Sequence, residues 1–262
     1  MKVFSILAMR EVKLMFLSPR SYLLLSLFSL MSGLICFDQL RIFNELIFLH
    51  MSQTMGGFDL GTLPDALNIR RRIFLPLMDN LALALVALLP LVTMQAFSED
   101  TTNRTDQLLA MTGARPISVV LSKFTSCGLL VSLAIGTAFI YPATSLGHIG
   151  YGEEQLAGSF IGLWFHGLAL SSIGLAASAF TRSQVIAAVT TWAIGLAIWD
   201  LAWLASLVPG AALVLQKCSF QEHFVAFPDG FIASQSVLFF LTFIVSGVCL
   251  ARIALALRRL TG

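Results

Sequence analysis

The stretch from Phe97 to Lys123, FSEDTTNRTDQLLAMTGARPISVVLSK, is a polar segment between two long apolar runs. The surrounding sequence is strongly apolar: 57% of the 262 residues are hydrophobic, 11% are charged, and the mean hydropathy is +0.87. An ordinary soluble domain carries roughly 25% charged residues. The composition therefore predicts a polytopic membrane protein, and the polar stretch is where its membrane part meets water.

Six segments are apolar over the length of about 20 residues that a membrane-spanning helix needs. They are residues 21 to 40, 76 to 97, 117 to 141, 156 to 180, 185 to 208 and 234 to 257. An even number of spans places both termini on one side. Eleven of the sixteen Lys and Arg residues then share that side, the main exception being the run Arg70 to Arg72. Because basic residues near span ends are retained in the cytoplasm, cytoplasmic termini are predicted.

Residues 1 to 18 precede the first span and have amphipathic periodicity. Lys2, Ser5, Arg10 and Lys13 share one face at the helical period, which predicts an elbow-like interfacial helix on the inner leaflet. Pro19 disfavours helix in the residue before it, so the helix is expected to end at Ser18. Residues 41 to 75 are predicted to form an external loop with one short helix in it.

The polar stretch has start and stop signals of its own. Ser98 to Asp100 offers cap-capable side chains and two acids, which suit the positive end of a helix dipole. Leu108 and Leu109 give a short apolar stripe, Gly113 suits the end of a helix, and Pro116 suits the first turn of span 3. We therefore expect a short cytoplasmic helix within residues 98 to 115, a natural docking element for a partner.

Intramembrane charges and small residues give further candidates. Asp79 and Asp200 are membrane-embedded acids near the external ends of their spans, and intramembrane carboxylates are costly enough to be functional candidates. Gly158, Gly162 and Gly174 on span 4 permit close helix approach, for which packing within the chain is the favoured use.

Catalytic and metal-binding patterns are missing from the sequence. The four histidines and four cysteines show no ligand spacing, so no metal site is predicted. No G-x-x-x-x-G-K-[ST] string is present, so ATP would have to be bound by another chain. Because His166 and several serines lie in spans, an intramembrane protease is a remote alternative, although G-x-S-x-G and H-E-x-x-H strings do not occur. The basic residues are explained by topology, so no nucleic-acid partner is expected.

Two groups of motifs occur in an order that resembles type-2 ABC exporter permeases, closest to the gliding-motility and copper-enzyme-maturation group. The first comprises Phe97, Thr105 to Leu109, Arg115 to Ile117 and Leu121 to Phe124. The second comprises Ser219 to Phe224, Phe227 and Gly230 to Ile232, followed by a final span with basic residues at its end. The resemblance extends from about residue 73 to the end of the chain.

The resemblance implies a function and the residues that serve it. It implies a single transmembrane domain, residues 1 to 262, of six helices, with residues 98 to 115 as a coupling helix inserted into an ATPase. The coupling residues would be Glu99, Asp100, Arg104, Thr105, Asp106, Leu108, Leu109 and Arg115. Residues 209 to 233 would form re-entrant external helices, with an outer gate containing Phe220, His223, Phe224, Phe227 and Gly230.

The resemblance also implies partners. These are two copies of an ABC ATPase, which would hold ATP and Mg²⁺, a second permease copy as homodimer or related heterodimer, and membrane lipids. The chain itself would need no cofactor and would move an unidentified substrate across the bacterial inner membrane. The alternative within the same architecture is a complex that transports nothing and transmits ATPase motion to an external accessory protein.

Overall fold

The chain is represented here by a computed structural model, which describes residues 2–53, 70–102, 115–147, 153–207, 209–228 and 233–261. Within these ranges all regular structure is helical, and none of it is strand. A π-helical turn (Arg70–Phe74) and a 3₁₀ turn (Pro209–Ala211) occur beside the α-helices. The helices are α1 (Lys2–Leu17), α2 (Pro19–Gln53), α3 (Leu75–Leu88), α4 (Pro90–Thr93), α5 (Gln95–Thr102), α6 (Pro116–Ala138), α7 (Ile140–Gly147), α8 (Glu153–Phe180), α9 (Gln184–Trp199), α10 (Leu201–Leu207), α11 (Ala212–Lys217), α12 (Phe220–Phe224) and α13 (Ser234–Thr261).

Five helical stretches in the described ranges are long and apolar enough to cross a membrane. They are Pro19–Leu49, Arg72–Ser98, Pro116–Ser145, Gln155–Phe180 and Ser234–Arg258. These stretches coincide with five of the six predicted spans and support an all-α, multi-pass membrane protein. The remaining predicted span, residues 185 to 208, corresponds to the shorter apolar helix α9 and to α10, which are separated at Asp200.

Helix α8 lies at the centre of the molecule. The other spans pack around it, so that 78% of its spanning stretch is buried, against 22% for the first span. Its first half joins a large apolar cluster with α3, α6 and α13, to which Leu163 and Leu168 belong. Its second half joins a smaller cluster that includes Phe97, Val120 and Leu175. A central helix thus links the two ends of the bundle.

The N-terminal segment is helical as predicted, and its position at the membrane interface stays a prediction. It runs from Lys2 to Leu17, and the backbone N–H of Ser18 donates to Leu14 O at 3.1 Å before Pro19 begins α2. Exposed apolar side chains, among them Ile6 and Leu17, point away from the protein. The helix packs on α6 through its opposite face.

The predicted end of the first span at residue 40 is wrong. Helix α2 continues to Gln53, because the polar residues after Asp38 lower the hydropathy without breaking a helix. No proline or glycine lies between residues 41 and 53, and Arg41 pairs with Glu45 one turn away at 3.1 Å. The remainder of the predicted loop, residues 54 to 69, lies outside the described ranges.

The predicted helix start at Ser98 to Asp100 is also wrong. These residues lie inside α5, which begins at Gln95 and continues span 2 after the interruption by Pro90 and Met94. The Ser98 hydroxyl donates back to Met94 O instead of capping a new helix. Pro116, in contrast, begins α6 as predicted, after Arg115 in extended conformation.

Candidate functional site

A buried charged cluster joins α1, α5 and α6 at one end of the bundle. The ammonium nitrogen of Lys123 on α6 lies 3.0 Å from Glu11 Oε2 on α1 and 2.7 Å from Asp100 Oδ2 on α5. The Lys123 side chain is only 7% exposed, and its nitrogen lies 5.4 Å from the centre of the Phe97 ring. Glu11, Lys123 and Asp100 are called the charged cluster below. Because one cation compensates both carboxylates, removing it would leave Glu11 without its ion pair and would weaken the compensation of Asp100.

The position of Asp100 follows from the interruption in span 2. Where the helix is broken near Met94, the hydroxyl of Ser178 on α8 donates to Met94 O at 2.9 Å. Ser178 Oγ in turn accepts from the backbone N–H groups of Phe97 at 3.0 Å and Ser98 at 3.2 Å. Ser178 therefore satisfies backbone groups that the interruption exposes and fixes α5 against α8.

The charged cluster joins the two helices, α5 and α6, that flank residues 103 to 114 in the sequence. Asp100 lies two residues before the end of α5, and Arg115 lies directly before α6, where Lys123 is in the third helical turn. Residues 103 to 114 connect these two helices. A force on this connection would act on α5 and α6 directly and on α1 through Glu11.

Part of the predicted coupling helix lies outside the described residues. This holds for Arg104, Thr105, Asp106, Leu108 and Leu109, and their predicted role stays a prediction. Of the others, Asp100 belongs to the charged cluster, Arg115 is exposed, and Glu99 has its backbone in α5. Glu11 was missed, because no sequence rule pairs residues 112 positions apart.

An aromatic cluster around His166 occupies the other half of α8. The imidazole is fully buried, with ring centres of Trp199, Phe220 and Phe240 at 5.2, 5.4 and 6.2 Å. All three rings meet it edge to face. The backbone of Ala82 is near, but neither imidazole nitrogen has a hydrogen-bond partner of normal geometry. Buried polar groups in proteins almost always have a hydrogen-bond partner, so the His166 imidazole is an exception.

Four of the five predicted gate residues come together against this cluster. Phe220, Phe224 and Phe227 are fully buried, and His223 is nearly so. Gly162 on α8 provides the room: a Cβ there would lie 2.7 Å from Cβ of Phe227. The fifth residue, Gly230, lies outside the described ranges. Helix α12 with Phe227 is called the plug below.

Hydrogen bonds hold the plug in place. The Ser219 hydroxyl donates to Trp199 O at 2.9 Å, and the His223 ring stacks on Phe239 at 4.0 Å. Because Lys217 O can only accept, His223 Nε2 carries the proton in their 2.9 Å bond, and Nδ1 accepts from the Ser236 hydroxyl at 3.3 Å. These contacts tie the plug to α9 and α13.

The predicted membrane-embedded acids join neither cluster. Asp79 is half-buried on α3, and Asp200 is exposed between α9 and α10, where it marks the end of the first of these helices. Within the part of the chain that the structure describes, no group of three His, Cys, Asp or Glu side chains is arranged to hold a metal ion.

The chain matches no protein-family model, and no curated protein matches it. The family resemblance therefore rests on the motifs between Phe97 and Phe124 and between Ser219 and Ile232.

Proposed function

We propose that the chain is the membrane subunit of an ABC exporter in the bacterial inner membrane, driven by ATP hydrolysis in two copies of a separate ATPase. The observation that carries the proposal is the charged cluster. It anchors the start of the polar segment, which the resemblance assigns to ATPase contact, to two other helices at the same end of the bundle. A second copy of this chain or of a related one completes the transport unit.

The proposed topology has six spans with both termini in the cytoplasm. Helix α9 has 16 residues and rises about 24 Å, less than the roughly 30 Å of a hydrocarbon core. With the seven residues of α10 the path reaches about 35 Å, which is sufficient for a sixth span. The charged cluster then lies at the cytoplasmic face, and the plug lies toward the external face.

The proposed mechanism uses α8 as a rigid connection between the two ends. ATPase closure displaces residues 103 to 114, and thereby α5, which Ser178 attaches to α8. Helix α8 carries His166 and Gly162, against which the plug packs. A shift of α8 loosens this packing, so the substrate path opens outward when the ATPase closes.

The unpartnered imidazole favours such opening. A closed plug leaves both nitrogens of His166 without hydrogen bonds, which costs about 1 to 3 kcal/mol per unsatisfied group. Water or a polar substrate entering the opened plug would satisfy them. The closed state is thus less stable than its aromatic packing alone would make it, and a modest force is sufficient to open it.

The test is reconstitution of the chain with its ATPase in proteoliposomes. An exporter is expected to show ATP hydrolysis coupled to flux of a candidate substrate. Hydrolysis that responds to an external accessory protein, without flux of any candidate, would favour the transmitting complex. Absence of ATP-dependent activity with the bound ATPase would contradict both.

A further inference from the structure

Span 2 is interrupted twice, and only the first interruption follows from its own sequence. Helix α3 ends at Leu88, shortly before Pro90, whose ring nitrogen has no hydrogen to donate to Val86 O. The second interruption lies at Met94, between α4 and α5. Residues 91 to 102 contain neither proline nor glycine. The local sequence is therefore compatible with one continuous helix through Met94, and the cause of the second interruption lies outside span 2.

The contact that interrupts span 2 is the hydroxyl of Ser178 on α8. It donates to Met94 O at 2.9 Å and accepts from the backbone N–H groups of Phe97 at 3.0 Å and Ser98 at 3.2 Å. In an uninterrupted α-helix these two N–H groups donate to Thr93 O and Met94 O. A side chain that enters the backbone hydrogen-bond ladder in this way is a known cause of helix kinks.

Helix α8 closely approaches this part of span 2. A Cβ at Gly174, one turn before Ser178, would lie 2.6 Å from Cβ of Thr93. The side chains of Thr93, Ser98 and Ser178 are all buried, so water does not compete for their hydrogen bonds. The Ser178 hydroxyl is thus a buried and specific connection between α8 and α5.

The Ser178 hydroxyl has a second possible acceptor on its own helix. Serine hydroxyls within helices can donate to the carbonyl oxygen four residues earlier. On α8, Ser171 does so to Gly167 O at 2.8 Å. The equivalent acceptor for Ser178 is Gly174 O. The hydroxyl can therefore leave span 2 and still donate a hydrogen bond.

We propose that Ser178 is a latch with two states. In the latched state, which this structure shows, its hydroxyl enters span 2 and connects α5 to α8. In the released state span 2 is continuous at Met94, the hydroxyl donates to Gly174 O, and α5 moves independently of α8. The released state replaces all three hydrogen bonds of the latch, so the two states are close in hydrogen-bond energy.

The latch would decide whether motion of the polar segment reaches α8. This use of the latch rests on the proposed function, whereas the exchange of hydrogen bonds does not. Helix α5 is held at its start by Ser178 and near its end by the pair of Asp100 with Lys123. Both attachments are needed for α5 to transmit a displacement.

The Met94 carbonyl reports the state of the latch. Met94 is the only methionine followed by glutamine, so carbonyl-¹³C methionine and ¹⁵N glutamine select its signal in solid-state NMR of the full chain in bilayers. Ser178→Ala can form only the released state and should move this signal. Ser171→Ala removes a buried hydroxyl whose hydrogen bond lies within α8, and should leave the signal in place. An unchanged signal in Ser178→Ala, or an equal shift in Ser171→Ala, would overturn the proposal.

Thermal unfolding of the same two variants tests whether the released state is stable. Ser178→Ala should melt within about 3 °C of Ser171→Ala, because the N–H groups of Phe97 and Ser98 find acceptors in the continuous helix. If span 2 could not close, two buried N–H groups would lose an acceptor, and the melting temperature should fall by about 6 °C or more. A loss of that size, or failure of Ser178→Ala to fold, would contradict a two-state latch.

Asp100→Asn tests whether the native latch can release. The substitution weakens the tie of α5 to Lys123 and leaves Ser178 in place. A second Met94 signal is expected at the position found for Ser178→Ala. The wild-type signal alone would mean that the connection is fixed, and the latch would be wrong. These measurements contain no ATPase, so their failure is distinct from failure of the proposed function.

Discussion

At the scale of single residues, Lys123 has the strongest expected effect on stability. Its side chain is 7% exposed, and its ammonium group compensates Glu11 and Asp100 together. Lys123→Met should lower the free energy of unfolding by about 3 to 5 kcal/mol, because the buried Glu11 loses its ion pair and Asp100 loses a close cation. Denaturant titration in mixed micelles measures the change.

The control for Lys123 is Lys13→Met on α1. Lys13 is exposed, so its loss should change the free energy of unfolding by less than about 0.5 kcal/mol. The variant carrying Glu11→Gln and Asp100→Asn with Lys123→Met should regain part of the stability. Equal changes in the free energy of unfolding for Lys123→Met and Lys13→Met would show that the charged cluster does not stabilise the fold.

The two buried histidines should respond oppositely to the same substitution. His223 uses both nitrogens in hydrogen bonds, whereas His166 uses neither. His223→Leu should destabilise by about 2 kcal/mol, and His166→Leu should be neutral or stabilising by about 1 kcal/mol. The same micelle titration measures both, and a clear loss in His166→Leu would mean that the imidazole has a partner in solution.

The sequence indicates residue types better than it indicates partners. Phe220, Phe224 and Phe227 lie together because they belong to one short segment, and their role as an outer gate stays a prediction. The pairing of Glu11 with Lys123 cannot be predicted, because it depends on how α1 lies against α6. The central position of His166 has the same origin: the rings that enclose it come from helices far apart in sequence.

At the scale of helices, close packing around α8 depends on glycine. A Cβ at Gly174 would lie 2.6 Å from Cβ of Thr93 on α4, and one at Gly247 would lie 2.8 Å from the backbone of Ser172. Alanine at either position should destabilise by about 1 to 3 kcal/mol through overpacking. Gly136 on α6 has no neighbour within 4 Å, so Gly136→Ala should not destabilise. Equal effects at the three positions, measured by thermal unfolding, would contradict this packing.

Helix existence is predicted well from the sequence, and helix boundaries less well. Apolar length identifies five of the spanning stretches, and Pro19 and Pro116 mark helix starts through their fixed backbone geometry. The helix boundaries predicted after residue 40 and before Ser98 are wrong, because polar side chains alone do not end a helix. A polar residue continues a helix when its side chain bonds locally, as Ser98 does to Met94 O.

At the scale of the whole molecule, opening of the plug predicts a change in accessibility. Phe224 is fully buried, whereas its neighbour Val225 is exposed. In a background without the four native cysteines, Val225→Cys should react with a water-soluble maleimide at all times. Phe224→Cys should react only while the bound ATPase turns over. Reaction of Phe224→Cys that is the same with and without ATP would contradict a moving plug.

Coupling of the polar segment to a separate ATPase can be tested with a variant that leaves the charged cluster intact. Asp100 binds Lys123, so replacing it would disturb the bundle as well as any partner contact. Leu108 and Leu109 lie in the connection between α5 and α6 and form the apolar stripe of the predicted docking helix. Leu213 and Val214, exposed on α11, provide a matched apolar pair toward the proposed external face.

The most direct measurement is co-purification of the full chain from its native membrane, with bound proteins identified and ATP hydrolysis recorded. The wild type and the Leu213→Ser, Val214→Ser variant should both carry an ATPase with a G-x-x-x-x-G-K-[ST] string. The Leu108→Ser, Leu109→Ser variant should insert normally and lose that ATPase. A wild-type chain without such a partner, or a Leu108→Ser, Leu109→Ser variant that keeps it with full activity, would contradict the proposed coupling to a separate ATPase.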